Sequence, residues 1–312
     1  MSFKIIGIGE VLWDLFPSGP QLGGAPANFA YHARALGAYA GVITRVGNDS
    51  LGRAILQRFV ELGIADGTVE VDGEVPTGTV TVALSGKGIP HFTIHENVAW
   101  DRLAVTPKAL AAVRAADAIC FGSLAQRSEP ARTSIQRLVA AAPADALRVF
   151  DINLRQNYFS REVIEQSLRL ANVLKLNDSE LPILADMFSL TGSIRHQIER
   201  LAQKFSLQLV ALTRGPEGSL LYRANQWSDR PAVPVEIIDT VGAGDAFTAA
   251  LVLGLLKKME LDEINALAGE VARHVCSCAG ATPPLPKRIC DRFITHNSAL
   301  TIAPGVIAEL RA

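Results

Sequence analysis

Residues 239–247 read DTVGAGDAF, and the apolar run AFTAALVLGLL continues from Ala246. Gly242, Ala243 and Gly244 let the backbone turn tightly, so the pattern predicts a helix that begins directly after them. The first N–H groups of a helix have no partner within it and carry the positive end of its dipole. Because small residues leave these donors uncovered, the stretch predicts an anion site, best suited to phosphate.

Asp245 stands at the start of this helix, beside the expected anion. A carboxylate there opposes simple phosphate binding, but it is useful if it accepts a proton from a hydroxyl that attacks phosphorus. The alternative is that Asp245 only caps the helix. The chain has no G-x-x-x-x-G-K-[ST] motif, and the segment at Gly7 and Gly9 lacks the third glycine of a dinucleotide fingerprint.

Short apolar runs alternate with helical patterns along most of the chain. Strands that alternate with helices predict an α/β fold with a doubly wound, mostly parallel sheet and helices on both faces. A β-like segment is expected at Val235–Ile238, before the motif. The predicted strands are 4–9, 40–47, 117–122, 147–153, 172–177 and 207–213, and the predicted helices are 25–37, 50–63, 128–142, 160–171, 178–186, 192–206, 245–258 and 262–280.

One segment departs from this alternation. Residues 76–100 alternate apolar and polar side chains around Gly86-Lys87-Gly88, which predicts an antiparallel hairpin with one solvated face. Together with residues 11–23, the segment 76–101 would form a small β lid over the main sheet. No linker interrupts the chain, so residues 1–312 are interpreted as a single domain.

The overall composition excludes several classes of protein. The 30 Lys and Arg residues balance 31 Asp and Glu residues, for a net charge of −1, so we expect no nucleic acid partner. No apolar stretch approaches the ~18 residues that span a bilayer, and the N-terminal run contains Glu10 and Asp14. We therefore expect no membrane segment, no signal peptide and a cytoplasmic protein.

Four motifs in order connect the chain with a known family. It resembles the ribokinase-like, or PfkB-type, carbohydrate kinases from end to end. DTVGAGD matches the family pattern D-T-x-G-A-G-D, and the other similar segments are LGGAPANFAYHARALG (22–37), KLNDSE (175–180) and TRGPEGSLLY (213–222). Within the family, the segments most similar to fructokinases are GEVLWDLFPSG (9–19), HENVAWD (95–101) and DINLR (151–155).

The resemblance implies transfer of the ATP γ-phosphate to a sugar hydroxyl. Asp245 would be the general base, and the N–H groups of Gly242, Ala243, Gly244 and Asp245 would hold the developing anion. Asn177 would contact ATP, and Asn177 and Glu180 together would order water around Mg²⁺. From the residues alone, a helix capping box is the favoured interpretation of this pair, and the other motifs favour the functional role.

The resemblance also implies positions for the acceptor. Asp14, Gly23, Gly24 and Asn28 would bind sugar hydroxyls; the alternatives are a solvated residue for Asp14 and a helix entry turn for the glycines. Asn153 and Arg155 follow a strand at the expected binding edge of the sheet, and the arginine fork suits a γ-phosphate or an acidic sugar. The alternative for Arg155 is a structural ion pair.

Further positions complete the implied site. Thr213, Gly215 and Gly218 would lie along the nucleotide. Asp239 would bind a monovalent cation such as K⁺. The alternative, an aspartate that only starts a turn, is equally compatible with the sequence. Three residues lie on the expected lid: His95, Asn97 and Trp100. Asn97 is assigned to the sugar. For each of the three, an exposed position or a subunit contact is the favoured alternative. The apolar lid strands suggest a homodimer through the lids.

We interpret the chain as an ATP-dependent sugar kinase, most similar to fructokinase. The alternatives within the family are 2-keto-3-deoxygluconate kinase, ribokinase and nucleoside kinase. A non-catalytic sugar or nucleotide sensor would predict loss of Asp245 or of the neighbouring glycines, and all of them are present.

Overall fold

The computed structural model describes residues 2–17, 19–84 and 90–294. The strands are β1 (Lys4–Ile8), β2 (Leu12–Phe16), β3 (Gly19–Gly23), β4 (Tyr39–Gly47), β5 (Val69–Asp72), β6 (Gly78–Leu84), β7 (Pro90–Ile94), β8 (Ala118–Phe121), β9 (Leu147–Asp151), β10 (Val173–Asn177), β11 (Leu209–Thr213), β12 (Ser219–Arg223) and β13 (Gln226–Arg230). The helices are α1 (Ala25–Ala35), α2 (Ser50–Leu62), α3 (Pro107–Arg114), α4 (Glu129–Ala140), α5 (Arg161–Leu170), α6 (Glu180–Phe188), α7 (Ile194–Phe205), α8 (Ala243–Leu256), α9 (Leu261–Cys276) and α10 (Lys287–Ile294).

Nine of the described strands form one sheet, in the order β13-β12-β11-β10-β9-β8-β1-β4-β5. Neighbouring strands from β5 to β11 run parallel, and β12 and β13 add an antiparallel edge. The chain moves outward from β1 through β4 and β5, then returns to the other side of β1 at β8. This reversal opens a crevice at the carboxyl ends of β1 and β8, where open α/β sheets bind ligands.

Different helices cover the two faces of the large sheet. Ile6 and Ile8 of β1 pack in the apolar core under α3 to α7, whereas Ile5 packs under α1, α2 and α8 to α10. Because both faces are buried, strands such as β11 (LVALT) are apolar nearly throughout. The predicted α/β fold with a mostly parallel sheet is confirmed. Within the described residues, no helix combines the length and apolarity that a membrane crossing requires.

A second, smaller sheet has the order β3-β2-β6-β7. β6 and β7 pair antiparallel, as the hairpin prediction requires, and β2 runs parallel to β6 with Leu12 opposite Gly78. The predicted turn at Gly86-Lys87-Gly88 lies outside the described residues. The four strands fall within the segments 11–23 and 76–101, and their closure over the site as a lid stays a prediction.

The chain passes between the two sheets at closely packed points. A Cβ at Gly24 would lie 2.6 Å from the Glu10 carbonyl oxygen, and Gly24 has φ 110°, so only glycine fits there. A Cβ at Gly78 would collide with the Trp100 indole. Trp100 is fully buried, which corrects its expected place on an exposed or subunit-contacting surface. The Arg127 guanidinium carbon lies 3.9 Å from the centroid of the Trp100 ring and covers it.

Two secondary-structure predictions are wrong. Val235–Ile238 forms no strand, because nearby prolines lack N–H donors and the Ile238 N–H donates to the Cys276 carbonyl oxygen instead of to a sheet. The helix predicted at 262–280 ends at Cys276, where the Ser277 hydroxyl donates to the His274 carbonyl oxygen at 2.7 Å. The sequence interpretation also missed β5, α3, β12, β13 and α10.

Candidate active site

The glycine-rich turn of DTVGAGDAF leads directly into α8, as the sequence predicts. Gly242 has φ 77°, and a Cβ there would lie 2.6 Å from the Ala281 carbonyl oxygen. Ala243 and Gly244 form the first turn, and the Ala243 N–H donates to the Thr240 carbonyl oxygen over a long 3.3 Å. The N-terminal end of the helix, residues 242–245, is the mouth of α8, and its backbone N–H groups favour a bound anion.

Asp245 lies in this first turn, partly buried. The pKa of Asp245 is raised to about 7, chiefly by burial and in smaller part by the nearby Asp151 carboxylate. An amide hydrogen bond from Asn28, at 2.8 Å between Nδ2 and Oδ2, works in the opposite direction, as do the charges of Lys175 and Arg155. A carboxylate with a pKa near neutrality is suited to accept a proton.

A buried ion pair packs against the first turns of α8. Lys175 Nζ lies 3.1 Å from Asp151 Oδ1, and the Thr248 hydroxyl donates to Asp151 Oδ2 at 2.8 Å. A Cβ at Gly244 would lie 3.0 Å from Lys175 Nζ, so the Gly244 backbone packs almost directly on the ammonium group. The sequence interpretation missed Lys175, although a lysine within the buried strand VLKLN is an unusual residue.

The predicted acceptor residues lie on two sides of the crevice. Burial raises the pKa of Asp14 on β2 to about 6, and a Cβ at Gly23 on the paired strand would collide with its carboxylate. Arg155 is exposed, and its charge lowers the pKa of Glu10, Asp14 and Asp245, so it lies within electrostatic range of these carboxyls.

Two other predicted acceptor residues have unusual backbone conformations. Asn153 has φ 43° in the loop that carries Arg155, a left-handed conformation that asparagine tolerates better than most residues. Asn97 has φ 57° and is exposed at the margin of the smaller sheet.

Glu10 is a functional candidate that the sequence interpretation missed. It directly follows β1 and Gly9 at the carboxyl edge of the large sheet and is only 3% exposed. Its Oε2 atom has no hydrogen-bond partner among the described atoms, and burial raises its pKa to about 7. Its place in an apolar run, between Gly9 and Val11, was the available signal.

The predicted nucleotide residues meet at neighbouring strand ends. Asn177 closes β10 and is paired with Thr213 at the end of β11. Gly215 follows with φ 50°. Gly218 has φ 87°, and a Cβ there would overlap the Arg230 carbonyl oxygen, so packing alone requires this glycine.

Asn177 and Glu180 form a reciprocal capping box at α6. Asn177 Oδ1 accepts from the Glu180 N–H at 3.0 Å, and Glu180 Oε2 accepts from the Asn177 N–H at 2.8 Å. Glu180 Oε1 also accepts from the Leu154 N–H at 2.9 Å. Since these oxygens already have backbone partners, the pair suits a water-mediated role toward a metal better than direct ligation.

Asp239 joins the two loops beside α8. Its Oδ1 accepts from the Val241 N–H and its Oδ2 from the Gly280 N–H, each at 3.0 Å. This contact is the turn-starting role that the sequence left open as the alternative to cation binding. Among the residues the structure describes, no group of three or more His, Cys, Asp or Glu side chains is arranged to hold a metal ion.

Known proteins are similar to this chain in both sequence and architecture. A fructokinase of Klebsiella pneumoniae is 32% identical over 294 residues, covering 90% of this chain and 94% of the relative. A sugar kinase of Pyrococcus horikoshii, solved in complex with ATP, is 29% identical with a TM-score of 0.74, covering 89% of this chain and 94% of the other. A Vibrio cholerae fructokinase, solved with fructose, ADP and calcium, is 26% identical with a TM-score of 0.75, covering 93% and 98% of the two chains.

A family profile covers most of the chain as well. Residues 20–288 match the pfkB family of carbohydrate kinases, and this range includes the mouth of α8, the capping box of α6 and the loop that carries Arg155. The chain therefore belongs to the pfkB family of carbohydrate kinases and is a sugar kinase, a phosphotransferase with a hydroxyl acceptor.

Proposed function

We propose that the chain is an ATP-dependent fructokinase in which Asp245 takes the proton of the acceptor hydroxyl. The observation that carries the proposal is the partly buried Asp245 in the first turn of α8, oriented by the Asn28 amide at 2.8 Å. The carboxylate can accept a proton at one end of the transferred group while the amides of Gly242 to Asp245 hold its charge at the other.

The relatives support fructose as the acceptor. The similar protein from Klebsiella pneumoniae is a fructokinase, and the similar Vibrio cholerae structure contains fructose and ADP. In this chain, Asp14 and Asn28 supply a carboxylate and an amide to hydroxyl groups. Gly23 and Gly24 let the sugar approach the backbone.

Asn153 and Arg155 would bind beside the acceptor, and Asn97 would reach it from the smaller sheet when that sheet closes. Arg155 also favours a second candidate acceptor, the acidic sugar 2-keto-3-deoxygluconate. Its exposed guanidinium donates to the Leu154 carbonyl oxygen at 3.2 Å and forms no ion pair with a described carboxylate, so its remaining N–H groups can bind a carboxylate of the acceptor.

The nucleotide would lie along Asn177, Thr213, Gly215 and Gly218, at the ends of β10 and β11. Asn177 and Glu180 fit Mg²⁺ bound through water, because Mg²⁺ keeps several waters and binds substrate phosphates. When bound, the ion neutralises charge on the transferred phosphate. Asp239 would take part in a K⁺ site, which would fix the loop before α8.

The smaller sheet would also join two copies of the chain. Its residue Phe92 on β7 is 42% exposed, so an apolar side chain of this sheet is available for contact with a second copy.

One assay tests the acceptor. ADP release is measured with fructose, ribose, 2-keto-3-deoxygluconate, glucose, adenosine and inosine, each over a range of concentrations. We expect the highest kcat/KM for fructose. A higher value for 2-keto-3-deoxygluconate that collapses in Arg155→Gln would assign the acidic sugar instead. Absence of ADP release with every acceptor, in a folded protein that binds nucleotide, would support a sensor and contradict the kinase assignment.

A further inference from the structure

Helix α1 carries two buried polar side chains one turn apart. Asn28 is 4% exposed and His32 is not exposed, and residues four apart lie on the same side of a helix. Asn28 donates to Asp245 at 2.8 Å, and His32 Nε2 lies 2.9 Å from the Ala281 carbonyl oxygen. Both contacts therefore reach the last third of the chain: Asp245 lies in the first turn of α8, and Ala281 lies beside Gly242.

The hydrogen bond to Ala281 fixes the tautomer of His32. Burial lowers the pKa of His32 to about 4, so the ring is neutral near pH 7 and has one N–H. A carbonyl oxygen only accepts, so the proton must be on Nε2. The other nitrogen, Nδ1, has no partner among the described atoms. The contact to Ala281 is thus the hydrogen bond that this imidazole donates.

The Ala281 carbonyl oxygen also contacts the glycine turn. A Cβ added to Gly242 would lie 2.6 Å from this oxygen and 2.8 Å from the Ala281 Cα atom. On the other side, the Gly280 N–H donates to Asp239 at 3.0 Å. The backbone at residues 280 and 281 therefore forms a surface on which the start of α8 rests.

We propose that His32 is a positioning residue for phosphoryl transfer. It holds the Ala281 carbonyl against Gly242 and thereby fixes the position of the first backbone N–H groups of α8. The inference rests on the proposed function, in which these amides hold the transferred phosphate. One helix then orients both parts of the site: Asn28 orients the base, and His32 orients the amides that bind the anion.

Loss of the imidazole leaves a buried carbonyl without its donor, which is costly unless the loop moves toward other donors. Such a movement removes the support under Gly242. A misplacement of about 1 Å at a reacting group can cost about 100-fold in rate. We therefore expect His32→Leu to lower kcat at least about tenfold and to raise the KM for ATP, with the KM for the acceptor within about twofold of wild type.

His32→Gln provides the conservative comparison, because its terminal amide N–H reaches about as far as Nε2. We expect it to recover most of kcat and of the affinity for a non-hydrolysable ATP analogue, measured by isothermal titration calorimetry. His32→Asn, whose amide reaches only as far as Nδ1, is expected to stay impaired. If the leucine variant does not fold, the Gln and Asn pair decides, and equal activity of the two would overturn the proposal.

His274→Leu is the matched control. His274 Nε2 bonds the Pro284 carbonyl oxygen at 2.9 Å, so the same loop has a second imidazole contact that does not involve Ala281. We expect its kcat to stay within about twofold of wild type. An equal loss in the His274 and His32 variants would overturn the proposal, since general loop order would then explain both.

A normal kcat in His32→Leu, with only a lower Tm, would assign the imidazole a purely structural role and overturn the proposal. The variant Asp245→Asn separates this outcome from failure of the proposed function. Full turnover in Asp245→Asn would reject the function itself. An inactive Asp245→Asn together with a fully active His32→Leu would reject only the role of His32.

Discussion

Asn28 Nδ2 donates to Asp245 Oδ2 at 2.8 Å, across 217 residues of chain. The amide favours the charged carboxylate, whereas burial and the nearby Asp151 favour the protonated form. The balance of these effects leaves the pKa of Asp245 near 7, about three units above that of a free aspartate. Asn28 thus orients the carboxylate and keeps part of it ionised at neutral pH.

Replacement of Asp245 by asparagine removes the proton acceptor at nearly constant shape. We expect kcat to fall about 100- to 10,000-fold, as for loss of a positioned base. Binding of a non-hydrolysable ATP analogue should persist, because the variant removes a negative charge beside the phosphates. Coupled ADP-release kinetics and calorimetry measure the two effects. Turnover close to wild type would contradict the role of Asp245.

The activity should depend on the protonation of Asp245. We expect kcat/KM to fall about tenfold per pH unit below pH ~7, because the protonated carboxyl cannot accept a proton. Asn28→Ala removes a hydrogen bond that lowers the pKa of Asp245, so the acidic limb should move to higher pH. A pH profile that is flat from pH 5 to 8, or a limb that moves to lower pH in Asn28→Ala, would contradict this interpretation.

Glu10 should destabilise the folded protein at alkaline pH. Burial raises its pKa from 4.5 to about 7. Between these two pH values the native state keeps a proton that the unfolded state loses. Stability therefore falls as the pH rises through this range, and the loss persists above it. Glu10→Gln should raise the free energy of unfolding at pH 8 by up to about 3 kcal/mol and have little effect at pH 4.

Urea denaturation at the two pH values measures the effect of Glu10→Gln. Glu61→Gln is a suitable control, because Glu61 is exposed on α2 and its pKa is lowered through a hydrogen bond from Arg58. It should give no comparable gain at pH 8. A destabilised Glu10→Gln at pH 8 would indicate a charged Glu10 with a hydrogen-bond partner and contradict the prediction.

Gly23→Ala should affect the acceptor selectively. The new Cβ would collide with the Asp14 carboxylate and lie 2.8 Å from Leu12 Cδ1, so Asp14 must turn away from the crevice. We expect the acceptor KM to rise about tenfold or more, as for loss of a hydrogen bond to a charged group, with an unchanged KM for ATP. Gly67→Ala is the control, because a Cβ there meets no atom within 4 Å. Equal acceptor KM values in the two variants would contradict a role for Asp14.

Glu180→Ala tests the metal. The variant frees the N–H groups of Leu154 and Asn177, which now donate to the carboxylate. We expect the Mg²⁺ concentration for half-maximal activity to rise about 10- to 100-fold, the usual cost of losing a group that orients metal-bound water. Glu180→Gln keeps one acceptor oxygen and should be intermediate. A lower Tm with an unchanged Mg²⁺ titration would leave Glu180 as a capping residue only.

The sequence predicted the central strands well, because burial on both faces makes them apolar without interruption. It missed the hairpin of β12 and β13, whose turn at Ala224 and Asn225 has φ 49° and 63°. Such a turn is usually signalled by Asn-Gly or Asp-Gly, and neither pair is present there. It also missed α3, which has only eight residues and therefore too few turns for a clear helical period.

The candidate site was predictable where its residues follow a motif at a strand end. Lys175, Glu10 and His32 lie inside apolar segments, and their importance depends on partners far away in sequence. Lys175 pairs with Asp151 because β10 and β9 are aligned in that register, and His32 meets Ala281 over 249 residues. Residue spacing along one chain contains no signal for such contacts.

The parallel pairing of β2 with β6 also has a consequence for biosynthesis. Leu12 faces Gly78, so β2 leaves the ribosome about 65 residues before its neighbour in the small sheet exists. Until then, β2 and β3 form at most an isolated hairpin, which is marginally stable in water. Trp13, Leu15 and Phe16 therefore lack this partner strand while β4, α2 and β5 are still being translated.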